Sequence, residues 1–432
     1  MSPSRSLSSL FKLPSGTGFY ASVTRLATGA ALAQIITVAA GPFLSRIYGP
    51  ANLGLYAAYL SVVTTAAGMS CLRYEQALML PDDRSEANHL WTLVLGLAAL
   101  SSSLAVPALL TARAMGWTGK LATLGPAIWL LPVALAVISL GLAAGVWANR
   151  NRAYSLLSVS RTAAAATAAL TAIGIGLLVP SGPWLIFSHV LGQAVLSALL
   201  FLGIRKSQLP PVTGASSTEL KRVASHYRQF PAYNFPMTAV DQITGALPVI
   251  VFTESFGLET AGLLSIAFQA LRLPGAFIGN SVAQVFYESA SRIRKDLSAL
   301  RSLTLKTCGL LSLAIILPAL VITLWGPPLF SFVFGSRFAP AGDLARLLII
   351  STSVGFICSP ISMLPTVIGR QGGHFLIALI AASLRALALW LGARSGNPST
   401  TLAWFVAAET IGLLIFAAWV LHLIRPTHSS SP

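Results

Sequence analysis

The stretch "YGPANLGLYAAYL", Tyr48–Leu60, returns 208 residues later as "FGLETAGLLSIAF", Phe256–Phe268. Both copies read aromatic-Gly, three variable residues, a small or apolar residue, Gly-Leu and then an apolar run. The offset is close to half of the 432-residue chain, which suggests an internal duplication. Each glycine has a local use. One permits a tight turn, and the other lets the helix that follows start close to its neighbour.

Composition says where such a turn would lie. The chain is 55% hydrophobic and 9% charged, with mean hydropathy +0.76. Soluble domains carry nearly three times that charge fraction. A bilayer core needs roughly 20 apolar residues per helix, so the apolar content fills about a dozen spans. Strand-type alternation is absent and Ala, Leu and Ile dominate, which favours helices over a β-barrel. The net charge of +16 does not read as nucleic-acid binding, because the basic residues sit in short clusters between apolar runs. Cys71, Cys308 and Cys358 lie far apart, without disulfide or metal-ligand spacing. The polar, basic first 20 residues lack an apolar core of their own, so the hydrophobic segment after them is expected to remain as a span.

The length rule predicts twelve spans. Six precede the middle of the chain: Ala21–Leu44, Leu53–Cys71, Leu90–Leu110, Leu121–Ala148, Leu156–Val179 and Trp184–Ile204. Six follow it: Tyr233–Phe252, Ala261–Phe286, Leu303–Leu324, Leu344–Ile368, Phe375–Leu391 and Leu402–Ile424. The organisation is then an N-terminal lobe over 1–204, a polar linker over 205–232 and a C-terminal lobe over 233–432. With the N-terminus inside, one face of the membrane receives eighteen Lys and Arg and the other five. That bias places both termini in the cytoplasm. No outer loop is long enough to house a catalytic domain.

Each copy of the opening motif falls between the first and second spans of a six-helix half. Six is even, so both halves enter the bilayer from the same side and are related by an axis along the membrane normal. The fold class is therefore an all-α polytopic membrane protein of two six-helix lobes with pseudo-two-fold symmetry. Parallel lobes of this kind enclose a cavity and alternate its access by rocking. Prolines Pro236, Pro248, Pro274, Pro360 and Pro365 fall inside predicted spans, where they remove backbone hydrogen bonds and bend helices.

Charges within a bilayer cost about 2.5–3.5 kcal/mol each on insertion scales, so they face a cavity or one another. Arg272 lies near the middle of span eight, with Gln269 three residues before it on nearly the same face. Asp241 sits about two turns into span seven, Gln34 is midway along span one and Arg25 near its cytoplasmic mouth. Arginine binds phosphate oxygens through a bidentate fork, so this set points to an anionic substrate. Arg272 could instead pair with Asp241, and Arg25 could snorkel to the interface. Arg385 and Glu409 reach similar depths in spans eleven and twelve and are expected to form an ion pair. Asp241 or Glu409 is the candidate site for coupling to a proton or sodium gradient. His189 reads as a packing residue, and Arg161 and Arg346 as interfacial anchors. The segment "SRIRKDLSALRSLTLK" is amphipathic and basic, suited to an anionic lipid surface. No P-loop, nucleophile motif or metal cluster is visible, so neither a cofactor nor an enzyme activity is expected.

"RYEQALMLPDDRSEA" after span two resembles the Arg-Tyr-Glu-x-Ala-x-x-Leu-Pro signature of bacterial oligosaccharide flippases and polysaccharide biosynthesis proteins. "YRQFPAYNFP" at the start of span seven and "FGSRFAPAGDLARLL" between spans nine and ten resemble further elements of that family, with Phe338 where Trp is common. The resemblance runs from about Thr24 to Ile368 and weakens in the last two spans. It implies the multidrug/oligosaccharidyl-lipid/polysaccharide exporter fold, with spans one, two, seven and eight lining the cavity. The implied substrate is an oligosaccharide on undecaprenyl diphosphate, and glycosyltransferases and a polysaccharide polymerase are the implied pathway partners. Arg25, Arg46 and Arg272 are the arginines whose helices match those that hold the diphosphate in related flippases. Arg73 and Glu75, in the signature itself, are candidates for a gate or an interfacial ion pair. Which polymer is made, whether O-antigen of lipopolysaccharide, capsule or exopolysaccharide, stays open. Three alternatives remain: a cation-coupled drug exporter, a peptidoglycan-precursor flippase, and a membrane polysaccharide polymerase or ligase. Embedded arginines outnumber embedded acids, which weighs against the first; the Arg-Tyr-Glu signature leans away from the second, and the short outer loops from the third.

Overall fold

The computed structural model describes residues 17–204, 216–275, 279–294 and 296–425, with the side chains of 17–28, Pro274, Asn280 and Ser281 excepted. The described residues form α-helices joined by short turns: α1 (Thr17–Met69), α2 (Tyr74–Ala77), α3 (Arg84–Ala114), α4 (Leu130–Arg150), α5 (Tyr154–Gly176), α6 (Gly182–Gly203), α7 (Ser217–His226), α8 (Phe235–Pro274), α9 (Asn280–Arg292), α10 (Leu297–Phe334), α11 (Ala339–Cys358), α12 (Leu364–Val367), α13 (Gln371–Ala393) and α14 (Pro398–Leu423).

Among the described residues, ten helical segments are long and apolar enough to cross a membrane. Two of them, Gly29–Met69 and Phe230–Leu273, run to 41 and 44 residues. At 1.5 Å per residue each is about 60 Å long, twice a bilayer core. Both break at a glycine: Gly49 has φ 71°, ψ 173°, and Gly257 has φ 88°, ψ 171°. That backbone region is open to glycine almost alone. These are the first glycines of the repeated motif, and they have the same conformation. Each double-length helix is thus two spans meeting at a hinge, and the ten segments make twelve crossings. Pro50 follows the first hinge and opens the new arm at a position where a missing N–H costs nothing.

In the first half α1 packs on α5, α5 and α4 on α6, and α3 on α4. In the second, α8 packs on α11 and α13, α10 on α11, and α14 on both α11 and α13. The halves meet chiefly through α1 and α8. A shared apolar core lies at the hinge end, where Tyr48 and Leu53 join Phe252, Ala261, Phe330 and Phe338. A second core around Trp91 and Trp147 belongs to the first half.

Two expected spans change helix type along their length, and a third starts in irregular structure. The α-helix of span eight runs to Pro274 and is described again from Asn280 as α9, with Gly275 and Gly279 in π-helical backbone and 276–278 outside the described residues. The α-helix of span ten runs to Cys358, and Ser359 and Pro360 keep helical φ/ψ beyond it. A short 3-10 turn over Ile361–Met363 and α12 complete it. The start expected at Leu121 lies in an irregular 3-10 segment, Gly119–Trp129, interrupted by Gly125 at φ 56° and Pro126. The polar linker is not structureless where described: 216–232 contains α7, while 205–215 lie outside the described residues. Ser216 and Glu219 close a capping box on α7, each side chain accepting the other's backbone N–H at 3.2 and 2.9 Å. The helix docks on the first half through buried Val223 and Tyr227 and through the Tyr74 hydroxyl, which donates to Ala224 O at 2.9 Å.

Candidate functional site

Between the halves lies a cavity of 890 Å³ walled by α1, α5, α6 and α8. Its depth can be measured from the hinges. Gly176 abuts Tyr48 and Gly182 abuts Leu55, so the end of α5 and the start of α6 sit at the level of Gly49. Leu44, Leu53 and Leu185, three to five residues from that level, form an apolar floor. Tyr56 and His189 stand seven residues away, about 10 Å at the α-helical rise. Ser61, Gln193 and Gln269 are eleven or twelve residues away. Gln34, Thr64, Arg161, Gln242 and Arg272 are each fifteen, about 22 Å, and form a polar belt at one depth.

The belt carries the signature of duplication. Gln34 and Gln242 are related by the same 208-residue offset as the turns, as are Thr64 and Arg272, and Ser61 and Gln269. The helix geometry that places one copy on the wall places the other there too. At one of these equivalent positions the first half carries a hydroxyl, Thr64, and the second a guanidinium, Arg272.

Both arginines of the belt face the cavity, and no Asp or Glu is among its described lining residues. Arg272 is exposed and makes no ion pair among the described residues; its Cζ lies 5.3 Å from the centroid of the Phe268 ring, which holds the cation over an aromatic face. Arg161 is exposed, with no hydrogen-bond or carboxylate partner among the described residues. Two cations without an ion-pair partner among the described residues make the cavity wall electropositive at this depth.

The expected site residues divide into several groups. Gln34, Gln269 and Arg272 line the cavity. Arg25 lies in α1, but its side chain is outside the described residues. Arg46 sits three residues from the Gly49 hinge, away from the belt; its Nη2 donates to Phe332 O of α10 at 2.7 Å and Nη1 to Pro42 O at 3.3 Å. Arg272 and Asp241 form no ion pair. Asp241 instead shares the field of Arg385 and His374, and Arg272 that of Glu409. Arg385 and Glu409 do meet, with Nη1 2.9 Å from Oε2. They line a smaller cavity of 210 Å³ within the second half, beside His374. Arg73 and Glu75 pair at 3.3 Å beyond the end of α1, where Arg73 has φ 66°. Burial pushes the Glu75 carboxyl above its usual range, with Arg73 opposing the shift.

Arg161, Gln193, Tyr56 and His189 were not expected on this wall. For Arg161 a signal exists in the sequence: Ala164, Ala165, Ala168, Ala169 and Ala172 follow it at helical spacing, and all line the cavity. His189 is held by Tyr56, whose hydroxyl lies 3.2 Å from Nδ1.

Solved structures with the same architecture include the lipid II flippase MurJ in its inward closed conformation, with TM-score 0.70 and 14% identity over 91% of this chain and 87% of that one. An inward-facing multidrug resistance MATE family transporter of the MOP superfamily gives TM-score 0.64 at 13% identity, over 94% and 100% of the two chains. The Vibrio cholerae MATE transporter VcmN in its bent form gives 0.55 at 14% identity, over 96% and 98%. At such identities the likeness is one of fold. No curated protein matches the sequence. The model of one family does match, over residues 43–343, taking in both hinges and the whole linker. The chain belongs to the polysaccharide biosynthesis protein family.

Proposed function

We propose that this protein is a flippase that carries an undecaprenyl-diphosphate-linked oligosaccharide across the bacterial cytoplasmic membrane. Both termini face the cytoplasm, and the belt end of the cavity opens towards it. The observation that carries this reading is the pair of guanidiniums, Arg161 and Arg272, without an ion-pair partner among the described residues, in an inter-lobe cavity whose described lining contains no carboxylate. A diphosphate headgroup cannot enter hydrocarbon unaided, since each unsatisfied polar group costs several kcal/mol. Arg272 and Arg161 replace its hydration at the belt, with Gln34 and Gln269 beside them, while the polyprenyl tail stays in lipid. Rocking of the lobes about the hinge end then exposes the headgroup to the other leaflet. Asp241 and Glu409 are the groups through which a proton or sodium gradient would drive the cycle. A drug exporter for cationic amphiphiles would need acids where this cavity has arginines. The fold neighbours are transporters and a flippase, which supports transport over enzymatic chemistry.

The test is Arg272→Ala and Arg161→Ala in cells that depend on the surface polymer. Lipid-linked oligosaccharide accumulates on the inner leaflet in both variants at normal protein level. Unchanged polymer output from the double variant removes the arginine belt as the headgroup site.

A further inference from the structure

The cavity changes chemistry with depth. The two charges among its described lining residues, Arg161 and Arg272, are confined to the belt about 22 Å from the hinges, and its floor is leucine. Between them lies a stretch that is polar and uncharged. Ser61, Gln193 and Gln269 line its upper part, and Tyr56, His189 and Ser265 its lower part.

The hydrogen-bonding capacity of this stretch is mixed. Ser61 and Ser265 donate to carbonyls of their own helices, Ala57 O at 2.8 Å and Ala261 O at 2.7 Å, so towards the cavity they can only accept. The Gln193 and Gln269 amides have no protein partner among the described residues, and each offers a donor and an acceptor side by side. A sugar hydroxyl also donates and accepts, and an amide matches two adjacent hydroxyls or an acetamido group. Across from these groups the α5 wall is alanine, which leaves room for a ring. Tyr56 supplies an apolar face for the C–H side of a pyranose.

We infer that this neutral stretch is the subsite for the first sugar of the headgroup, that Gln193 reads its hydroxyl or acetamido groups, and that the Tyr56–His189 pair forms its base. The inference rests on the preceding reading of the belt as the diphosphate site. The subsite selects an uncharged sugar, because no Lys or Arg is among its described lining residues to neutralise a uronate or a phosphorylated ring. His189 acts through Tyr56: the 3.2 Å contact fixes the phenol against the cavity, so His189 is a positioning residue.

The experiment compares two probes on the full-length protein in lipid nanodiscs: undecaprenyl diphosphate, and the same lipid bearing one N-acetylhexosamine. The wild type binds the glycosylated probe about tenfold more tightly, the equivalent of one or two neutral hydrogen bonds. Gln193→Ala reduces that preference to about twofold and leaves the affinity for the bare diphosphate unchanged, and Gln193→Asn gives an intermediate preference. His189→Phe also lowers the preference, with an altered Tyr56 environment as its separate readout. Arg272→Ala weakens both probes equally. Equal binding of the two probes by the wild type, or a full preference retained in Gln193→Ala, overturns the sugar subsite alone. If the wild type binds neither probe, the diphosphate reading falls and the subsite with it.

Discussion

Gly54 and Gly262 each leave the space that the other half of the molecule fills: a Cβ on Gly54 would lie 1.8 Å from Leu258 O, and one on Gly262 would lie 1.9 Å from Pro50 O. Pro50 and Leu258 are themselves 208 residues apart, so the contact is its own image under the pseudo-two-fold axis. This is why the second glycine of the motif is present in both copies. The arms leaving the two hinges cross backbone to backbone, and no side chain fits at the crossing.

A methyl group at this crossing must push the halves apart. Gly54→Ala and Gly262→Ala each destabilise the protein by about 1–3 kcal/mol, the usual cost of overpacking. Because both insert into the same contact, the double variant loses less than the sum of the two. Thermal unfolding in detergent, followed by tryptophan fluorescence, measures both effects.

The hinge glycines make a different demand. At φ 71° and 88° an L side chain is strained, so Gly49→Ala and Gly257→Ala each cost about 1–3 kcal/mol without any steric clash at Gly257, where a Cβ meets nothing within 4 Å. A D-alanine introduced at position 257 by semisynthesis restores the unfolding midpoint, which separates backbone strain from packing.

Arg46 and Glu254 are also equivalent under the offset, and each grips the opposite half at the hinge end. Arg46 Nη2 donates to Phe332 O at 2.7 Å, and Glu254 Oε1 accepts from Lys120 N at 2.9 Å. Removing either bond weakens closure at that end by about 1 kcal/mol, a several-fold population shift. In a protein whose Cys71, Cys308 and Cys358 are replaced by Ser, a cysteine at Leu53 should react several-fold faster with an impermeant maleimide in Arg46→Ala or Glu254→Ala. Equal rates would show that these contacts do not latch the cavity floor.

The Arg385–Glu409 pair, with side chains 22% and 23% exposed, has little water to replace a lost partner. Arg385→Ala or Glu409→Ala alone costs about 3 kcal/mol because it strands a charge. The double substitution to Leu and Met restores much of that stability. A double-mutant cycle on unfolding midpoints reads the coupling.

Acid affects the linker helix through Glu219. The Ser216 N–H and hydroxyl hold its carboxyl below the ordinary value of 4.5. A depressed folded pKa means that the capping contribution is complete above the unfolded value near 4.5 and is lost as pH falls through the folded one. The protection factors of the α7 amides, corrected for the pH dependence of intrinsic exchange, therefore hold at pH 5 and fall only in stronger acid. Glu219→Gln removes that acid-induced step, since a capping amide does not titrate.

How much of this was legible in sequence follows from where the physics acts. A bilayer constrains every span locally: its length, its apolarity and its unpaired charges are set residue by residue. The twelve crossings, the duplication at offset 208 and the exposure of Arg272 and Gln269 to a cavity could therefore be read from the chain alone. The change of helix type after Cys358 could not be placed by hydropathy, because apolar side chains continue past it while the backbone stays helical. Arg161 lies near a helix start, where snorkelling to the interface satisfies the same local rules as facing a vestibule. Only the packing of α5 against α1 turned its alanine stripe, and the arginine above it, towards α8. Arg46 has the same ambiguity with the opposite outcome, since the neighbouring α10 supplied a carbonyl that no local pattern foretells. Pairings between halves depend on which faces two distant helices present to each other, and that is settled by the crossing at Gly54 and Gly262.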